Sequence, residues 1–244
     1  MMTKFGSVFI QLASVDSTNN YVANLIQQGS CQDGSVIMAD YQTNGRGQRG
    51  NSWQSVSGQN LMFSLAFHPP YPLEEHIRLS WYTALIWQQC LLRFGVSLQI
   101  KWPNDLYVNN RKIGGVLIEQ QLKGDRLEWG VLGCGINVNA KPEITHSTSL
   151  FEEVKQHFKP YTVLQEFLDL FNGQQAMLLG DFNTLKQKFE DELWLRGMLW
   201  RYQTLEGRQF EGRILGVNNK GELGIQTADS IQYFGNQEIK FLHP

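Results

Sequence analysis

Apolar residues along the chain fall into two rhythms. Short runs at residues 5–12 (FGSVFIQL), Ser35–Ala39 (SVIMA) and Leu61–Phe67 (LMFSLAF) read as strands. Between the first two, Val22, Leu25 and Ile26 share one helical face, with Ser17 or Thr18 placed to cap its start and Gly29 to stop it. A PPYP turn then leads into a long amphipathic helix, predicted over Leu73–Phe94 and stopped by Gly95. Strands are predicted over Leu98–Trp102, Asp105–Val108, Lys112–Gln121 and Leu127–Asn137, with Asn109-Asn110 and Lys123-Gly124-Asp125 as hairpin turns. Residues 162–195 return to helical spacing, through Val163, Phe167, Leu170 and Phe171 and then Phe182, Leu185, Phe189 and Leu193. From about Met198 short strands alternate with EGR, NNKGE, ADS and GNQ, which predicts a small barrel or sandwich leaning on the main domain. The pattern is α+β: a mixed β-sheet packed with helices, followed by a small β unit.

Composition narrows the classes. The 244 residues are 42% hydrophobic, a globular value. A formal net charge of −2 argues against a broad nucleic-acid footprint. No apolar run reaches the ~18 residues of a membrane span, and the N-terminus has no secretory h-region, so the expectation is cytoplasmic with no membrane partner. Cys31, Cys90 and Cys134 are far apart and form no C-x-x-C, which indicates neither a disulfide framework nor a zinc site. Cys134 reads as a small buried hydrophobe.

Gly45, Gly47 and Gly50 spell G-x-G-x-x-G inside QTNGRGQRGNSW, Gln42–Trp53. A dinucleotide site needs a helix immediately after the glycines, so that pyrophosphate meets free N–H groups. Here residues 51–60 are polar with no helical period, and the first acidic residue downstream is Glu74. That reading fails. The loop is long for a plain connection, which favours a mobile functional segment whose backbone approaches a ligand closely.

Three further segments carry chemistry. Asp16-Ser17-Thr18-Asn19-Asn20 offers a helix cap with spare hydroxyl and amide groups. Lys101-Trp102-Pro103-Asn104-Asp105 and Arg111-Lys112-Ile113-Gly114-Gly115 place two lysines around one hairpin, with Asp105 able to tether a lysine or a magnesium ion. Gly133-Cys134-Gly135-Ile136-Asn137 sets small residues before an asparagine, so that a nucleotide could lie against backbone. Singly, each has a bland explanation: a cap, a charged hairpin, a strand end.

Together, DSTN, YQxxGRGxRG, KWPNDLYxxxRKIGGVLIE and GxGINVN resemble the biotin protein ligase (biotin–[acetyl-CoA-carboxylase] ligase) family over residues 5–195, and the last strands resemble its small SH3-like domain. The resemblance implies a catalytic domain over 1–195 and an SH3-like domain over 196–244. It implies that biotin and ATP, with Mg2+, form biotinyl-5′-AMP, and that biotin passes to one lysine of a biotin carboxyl carrier domain. Ser17, Thr18, Asn19 and Gln42 would contact biotin, Arg46, Gly47 and Gln48 would close over it, and Gly114 and Gly115 would line its slot. Lys112 would bridge the two anions, with Arg46 and Lys101 as further catalytic cations. Lys101, Trp102, Asn104, Asp105 and Asn137 would serve ATP together with Arg46, Arg49, Trp53 and Lys112. Gln48 and Asn51 stand where well-known members carry arginine, so retention of the intermediate is expected to rely on Arg46, Arg49 and Lys112. Only fifteen residues precede Asp16, fewer than a three-helix DNA-binding domain needs, so no DNA partner is expected. The sequence leaves monomer and homodimer open. The nearest alternative is a lipoate–protein ligase; a non-catalytic binding module is the alternative from another class.

Overall fold

A computed structural model describes residues 3–140 and 145–242, and of Arg49 the backbone alone. Strand β1 (Val8–Leu12), helix α1 (Thr18–Gln27), β2 (Ser35–Ala39), β3 (Leu61–Phe67), α2 (Arg78–Arg93), β4 (Gln99–Lys101), β5 (Asp105–Val108), β6 (Arg111–Lys123) and β7 (Arg126–Ile136) come first. Helices α3 (Leu150–Val154), α4 (Pro160–Gly173), α5 (Gln175–Leu179) and α6 (Phe182–Asp191) come next. The chain then runs through β8 (Leu199–Thr204), β9 (Gln209–Val217), β10 (Leu223–Gln226), β11 (Ile231–Phe234) and β12 (Ile239–Phe241).

The first seven strands form one mixed sheet in the order β1-β2-β3-β7-β6-β5-β4, parallel only between β1 and β2. Alternation along each strand sorts side chains to two faces. Leu61, Phe63 and Leu65 of β3, with Leu132, Cys134 and Ile136 of β7, join α2 and α4 in the main core. Ile37, Ala66 and Val131 point the other way and meet Val22 of α1. Helix α1 covers only part of that second face, and the remainder is free to form a site.

Several expected boundaries shift. The helix predicted from Leu73 begins with a 3-10 turn, Leu73–Glu75, and is α-helical only from Arg78. Gly29 and Gly95 sit at φ +67 and +82 just beyond α1 and α2, as stop residues should. Asn109 and Asn110, at φ 49 and 62, make the expected tight hairpin. Helix α3, capped by the Ser149 hydroxyl, was not anticipated because five residues carry too little period to read.

The last five strands form a second, antiparallel sheet in the order β11-β10-β9-β8-β12. Tyr202, Ile214, Val217 and Leu223 belong to the same apolar cluster as the main core. Among the polar ties that fasten it, Trp102 Nε1 donates to Gly221 O (2.8 Å), and Val217 N donates to the buried Glu190 carboxylate (2.8 Å). Gly216 leaves the room that Glu190 occupies, since a Cβ there would lie 2.4 Å from Glu190 Oε1.

Candidate active site

A cavity of about 440 Å³ opens on the sheet face that α1 leaves uncovered. The N-terminus of α1, the glycine loop, the β4–β6 segment and the β11–β12 segment of the second sheet wall it. Arg46, Lys101, Lys112 and Lys240 line it, against Asp105 as the one carboxylate among the described lining residues. The site is therefore built for anions.

At the α1 end the polar groups are fixed in a network. Ser17 stands at the N-cap position, yet its side chain makes no capping bond. Gln42 performs that duty from the loop: its Oε1 accepts from Thr18 N (2.7 Å) and Thr18 Oγ1 (3.1 Å). This relieves Ser17 of its helix role and leaves it lining the cavity. Ser64, fully buried in β3, has its Oγ 2.6 Å from Asn19 Oδ1 and 2.7 Å from Thr18 Oγ1. Asn19 Nδ2 donates to Glu119 Oε2 (2.7 Å), and Arg46 is held by the same carboxylate at 2.5 Å. A Cβ on Gly133 would sit 2.2 Å from Asn19 Oδ1, so the missing side chain is the space that Asn19 fills.

At the other end stand the lysines. Lys112 Nζ lies 2.5 Å from Asp105 Oδ1 and 5.9 Å from the Trp53 ring centroid. A register shift between β5 and β6 puts it there. Leu106 pairs with Gly114 but Tyr107 pairs with Lys112, so Ile113 is an extra residue. In a regular strand Lys112 would share the face of Gly114, which looks into the core at Ile136 and Leu106. The bulge turns the ammonium to the cavity instead. Gly115 faces the same way, and its absent Cβ would lie 3.6 Å from Lys112 Nζ. Lys101 is packed among Tyr107, Trp194 and Phe241, and its Nζ donates to Tyr107 OH (2.9 Å). Burial among these rings holds its pKa below the ordinary lysine value, with Asp105 partly opposing the shift.

The glycine loop folds back on itself over the cavity. Gly47 N donates to Asn51 O (2.7 Å) and Trp53 N to Gly45 O (2.9 Å). Gly45 has no room for a side chain, since a Cβ would lie 2.4 Å from Trp53 O. The chain continues through one 3-10 turn, Gln48–Gly50, into an extended stretch, so no α-helix stands where a dinucleotide fold would place one.

With this geometry in view, comparison with known proteins becomes specific. The model of the biotin/lipoate A/B protein ligase family matches residues 12–137. The chain belongs to that family. It is 30% identical over 237 residues to the bifunctional ligase/repressor BirA of Bacillus subtilis, covering 94% of this chain and 71% of the relative. BirA of Escherichia coli is 37% identical over 134 residues, 54% of this chain and 41% of that one. Among solved structures, the biotin protein ligase of Aquifex aeolicus in complex with biotin and ATP superposes with a TM-score of 0.79 at 26% identity, covering 98% of this chain and 100% of that one. The α+β architecture expected from the sequence is that of these ligases.

Most residues singled out in the sequence do meet at the cavity: Ser17, Thr18, Asn19, Gln42, Arg46, Gly47, Gln48, Trp53, Lys101, Trp102, Asn104, Asp105, Lys112 and Gly115 all line it. Two do not. Gly114 faces the core, one residue out of phase with Gly115. Asn137 is buried and its Nδ2 donates to Thr148 O (3.0 Å), a turn-closing role rather than a cavity wall. The side chain of Arg49 lies outside the described residues. Asn104 lines the cavity but spends its amide on Val116 O (2.6 Å), holding the turn that carries Asp105. Cys134 is buried at the cavity floor, accepts from Trp87 Nε1, and burial pushes its thiol up to about 12, which disfavours the thiolate a nucleophile needs.

Sequence reasoning missed Ser64, Glu119 and the second sheet's Asn236 and Lys240. Ser64 had a signal, being the lone polar residue within the apolar run LMFSLAF, whereas Glu119 opens the polar stretch EQQ and does not stand out. Asn236 and Lys240 had none, because only the folded contact between the sheets brings them to the site.

Proposed function

We propose that the chain is an ATP-dependent biotin protein ligase, which makes biotinyl-5′-AMP and transfers biotin to a lysine of a biotin carboxyl carrier domain. The observation that carries this is the Lys112–Asp105 pair set on a bulge, with Lys101 beside it, at one end of a cavity whose other end is a fixed hydroxyl–amide network. A ureido ring presents two N–H donors and one carbonyl, and Ser17, Thr18, Asn19 and Gln42 offer matching groups at the α1 end. The valerate chain would then run along Gly115 and Trp53, bringing its carboxylate to Lys112.

The chemistry needs two anions to meet. A carboxylate oxygen attacks the α-phosphorus of ATP, a P–O bond forms, the bond to pyrophosphate breaks, and charge accumulates on the phosphoryl oxygens. Lys112, leaving Asp105 to lie between carboxylate and α-phosphate, offsets the repulsion and stabilises that charge. Lys101, already partly desolvated, gives up little hydration when it faces phosphate. In the second step the neutral amine of the carrier lysine attacks the acyl carbon, a C–N bond forms and AMP leaves. The glycine loop shields the mixed anhydride from water until then. The backbone at Arg46, Gly47 and Gln48 is part of this cover, with the Arg46 side chain oriented by Glu119. Arg49 remains a proposed contributor.

Magnesium would arrive on the nucleotide phosphates and compensate their charge. Among the described residues no group of three His, Cys, Asp or Glu side chains is placed to hold a metal. The residues present fit a magnesium ion held chiefly by phosphate, with Asp105 as the one protein carboxylate among the described residues of the cavity. The division into a catalytic domain over 1–195 and a small domain over 196–244 is part of the same proposal. Among the described residues no helix is long and apolar enough to cross a membrane.

The test is ATP–pyrophosphate exchange in purified protein with biotin or lipoate as the acid. Biotin-dependent exchange is expected; exchange with lipoate alone would reassign the substrate within the family, and none with either acid would refute the catalytic reading.

A further inference from the structure

The cavity does not end at the glycine loop. A second space of about 310 Å³ lies behind it, between the start of α2, the β9–β10 turn and β6. The two spaces share Gln48, Trp102, Pro103, Val116 and Asn236 as a common wall. Two of these five close the wall by a side-chain contact: Asn236 Nδ2 donates to Gln48 Oε1 at 2.5 Å, across a separation of 188 residues. Both residues are half-buried.

Each partner is presented by a short, ordered turn. Gln48 opens the 3-10 turn Gln48–Gly50 at the tip of the glycine loop. Asn236 sits between β11 and β12, where Gly235 N donates to Glu238 Oε2 (2.7 Å), Glu238 N returns to Gly235 O (3.1 Å) and Gln237 adopts φ 68. That turn is braced before it touches the loop. The loop is anchored ahead of its tip by Arg46, whose guanidinium meets Glu119 of β6 and Asn20 of α1, while Gly47 N to Asn51 O and Trp53 N to Gly45 O are bonds within the loop and its return strand. Among the described residues, Asn236 is the side chain that ties Gln48, at the tip, to the second sheet. The contact also depends on what stands at position 48. A glutamine carbonyl accepts the Asn236 amide proton; an arginine there, with donors only, would have to meet the Asn236 carbonyl instead.

We propose that Asn236 is a positioning residue for the ligase reaction: through Gln48 it latches the glycine loop against the second sheet and keeps the acyl-adenylate from escaping or meeting water. The proposal rests on the ligase reading above. It gives the second sheet a task within the reaction cycle, and it supplies a neutral, hydrogen-bonded means of retention where an arginine side chain is absent. Opening the latch joins the two spaces and exposes the anhydride from the side of α2.

The experiment is a double-mutant cycle with Gln48→Ala, Asn236→Ala and the double variant. Each purified protein is mixed with biotin and labelled ATP without carrier, and the formation of biotinyl-adenylate and its loss after a chase are timed separately. Each single variant is expected to raise the ratio of loss rate to formation rate roughly five-fold, the effect of one neutral side-chain hydrogen bond. The double variant is expected to match the singles, because all three remove the same bond. Multiplicative effects, or an unchanged ratio in both singles while the parent protein forms adenylate, would overturn the latch. No adenylate in the parent protein would instead refute the ligase reading itself. Because Gln48 lies in a surface loop, Gln48→Ala keeps the test decisive even if Asn236→Ala lowers the melting temperature.

Discussion

Replacing Lys112 by glutamine removes a charge while keeping a donor of similar reach. Its Nζ sits 2.5 Å from Asp105 Oδ1 and its side chain is 33% exposed, so solvent screens it only in part. At an effective dielectric constant of about 20, unit charges about 4 Å apart interact by roughly 4 kcal/mol. Some of that attraction already acts on bound substrates and cancels from the barrier. What grows with the developing charge is comparable to removing one oxyanion donor, about 3–4 kcal/mol or roughly 10²–10³ in rate. Loss of the cation also leaves the Asp105 carboxylate facing the phosphates, so adding Asp105→Asn should recover part of the defect rather than compound it. Single-turnover formation of biotinyl-adenylate under saturating biotin and ATP is the assay, with circular dichroism to confirm the fold. If Lys112→Gln kept the rate of that step within about two-fold, the idea that this cation brings the anions together would be refuted.

Two other expectations arise from particular contacts. Gly133→Ala would place a Cβ 2.2 Å from Asn19 Oδ1, so Asn19 must leave Ser64 and Glu119. A stability loss of about 1–3 kcal/mol and a fall in biotin affinity of roughly ten-fold are expected by melting and calorimetry. Gly173→Ala, where a Cβ meets nothing within 4 Å, is the neutral control. Lys101 titrates below the ordinary 10.5 because it is buried, so the unfolded chain holds the proton more tightly than the folded one. Stability contributed by this group therefore rises as pH climbs through its folded pKa towards 10.5, and Lys101→Met should flatten that rise in urea midpoints. Nucleotide phosphate should raise that pKa again, giving proton uptake on ATP binding in the same alkaline window, read from the dependence of the calorimetric heat on buffer ionisation. Equal heats in all buffers would contradict it.

Strands β2 and β3 were legible because each is apolar but for one serine, as a strand covered on both faces requires. The ends of α1 and α2 were legible through Gly29 and Gly95, whose positive φ is a local demand. Strand β4 was read two residues too long, because pairing with β5 and not apolar content decides where it ends. The distinction between Gly114 and Gly115 could not be read at all. It depends on the bulge at Ile113, and the letters RKIGG fit a regular strand equally well. The N-cap obeyed the same rule: Ser17 looked sufficient, while Gln42, distant in sequence, had already taken the work. Asn137 was expected to serve ATP, and in the fold its amide donates to the Thr148 carbonyl, a contact the sequence does not show. Motif residues were thus visible one by one, and what the sequence concealed was which of them faces the cavity.

The most direct test of the central claim is a crystal structure with a non-hydrolysable biotinyl-adenylate analogue. The account predicts that Lys112 Nζ moves off Asp105 to within hydrogen-bonding distance of both the acyl and the phosphoryl oxygens, with the ureido ring against Ser17, Thr18 and Asn19. An analogue bound in the cavity while Lys112 stays paired with Asp105, beyond reach of either group, would contradict it.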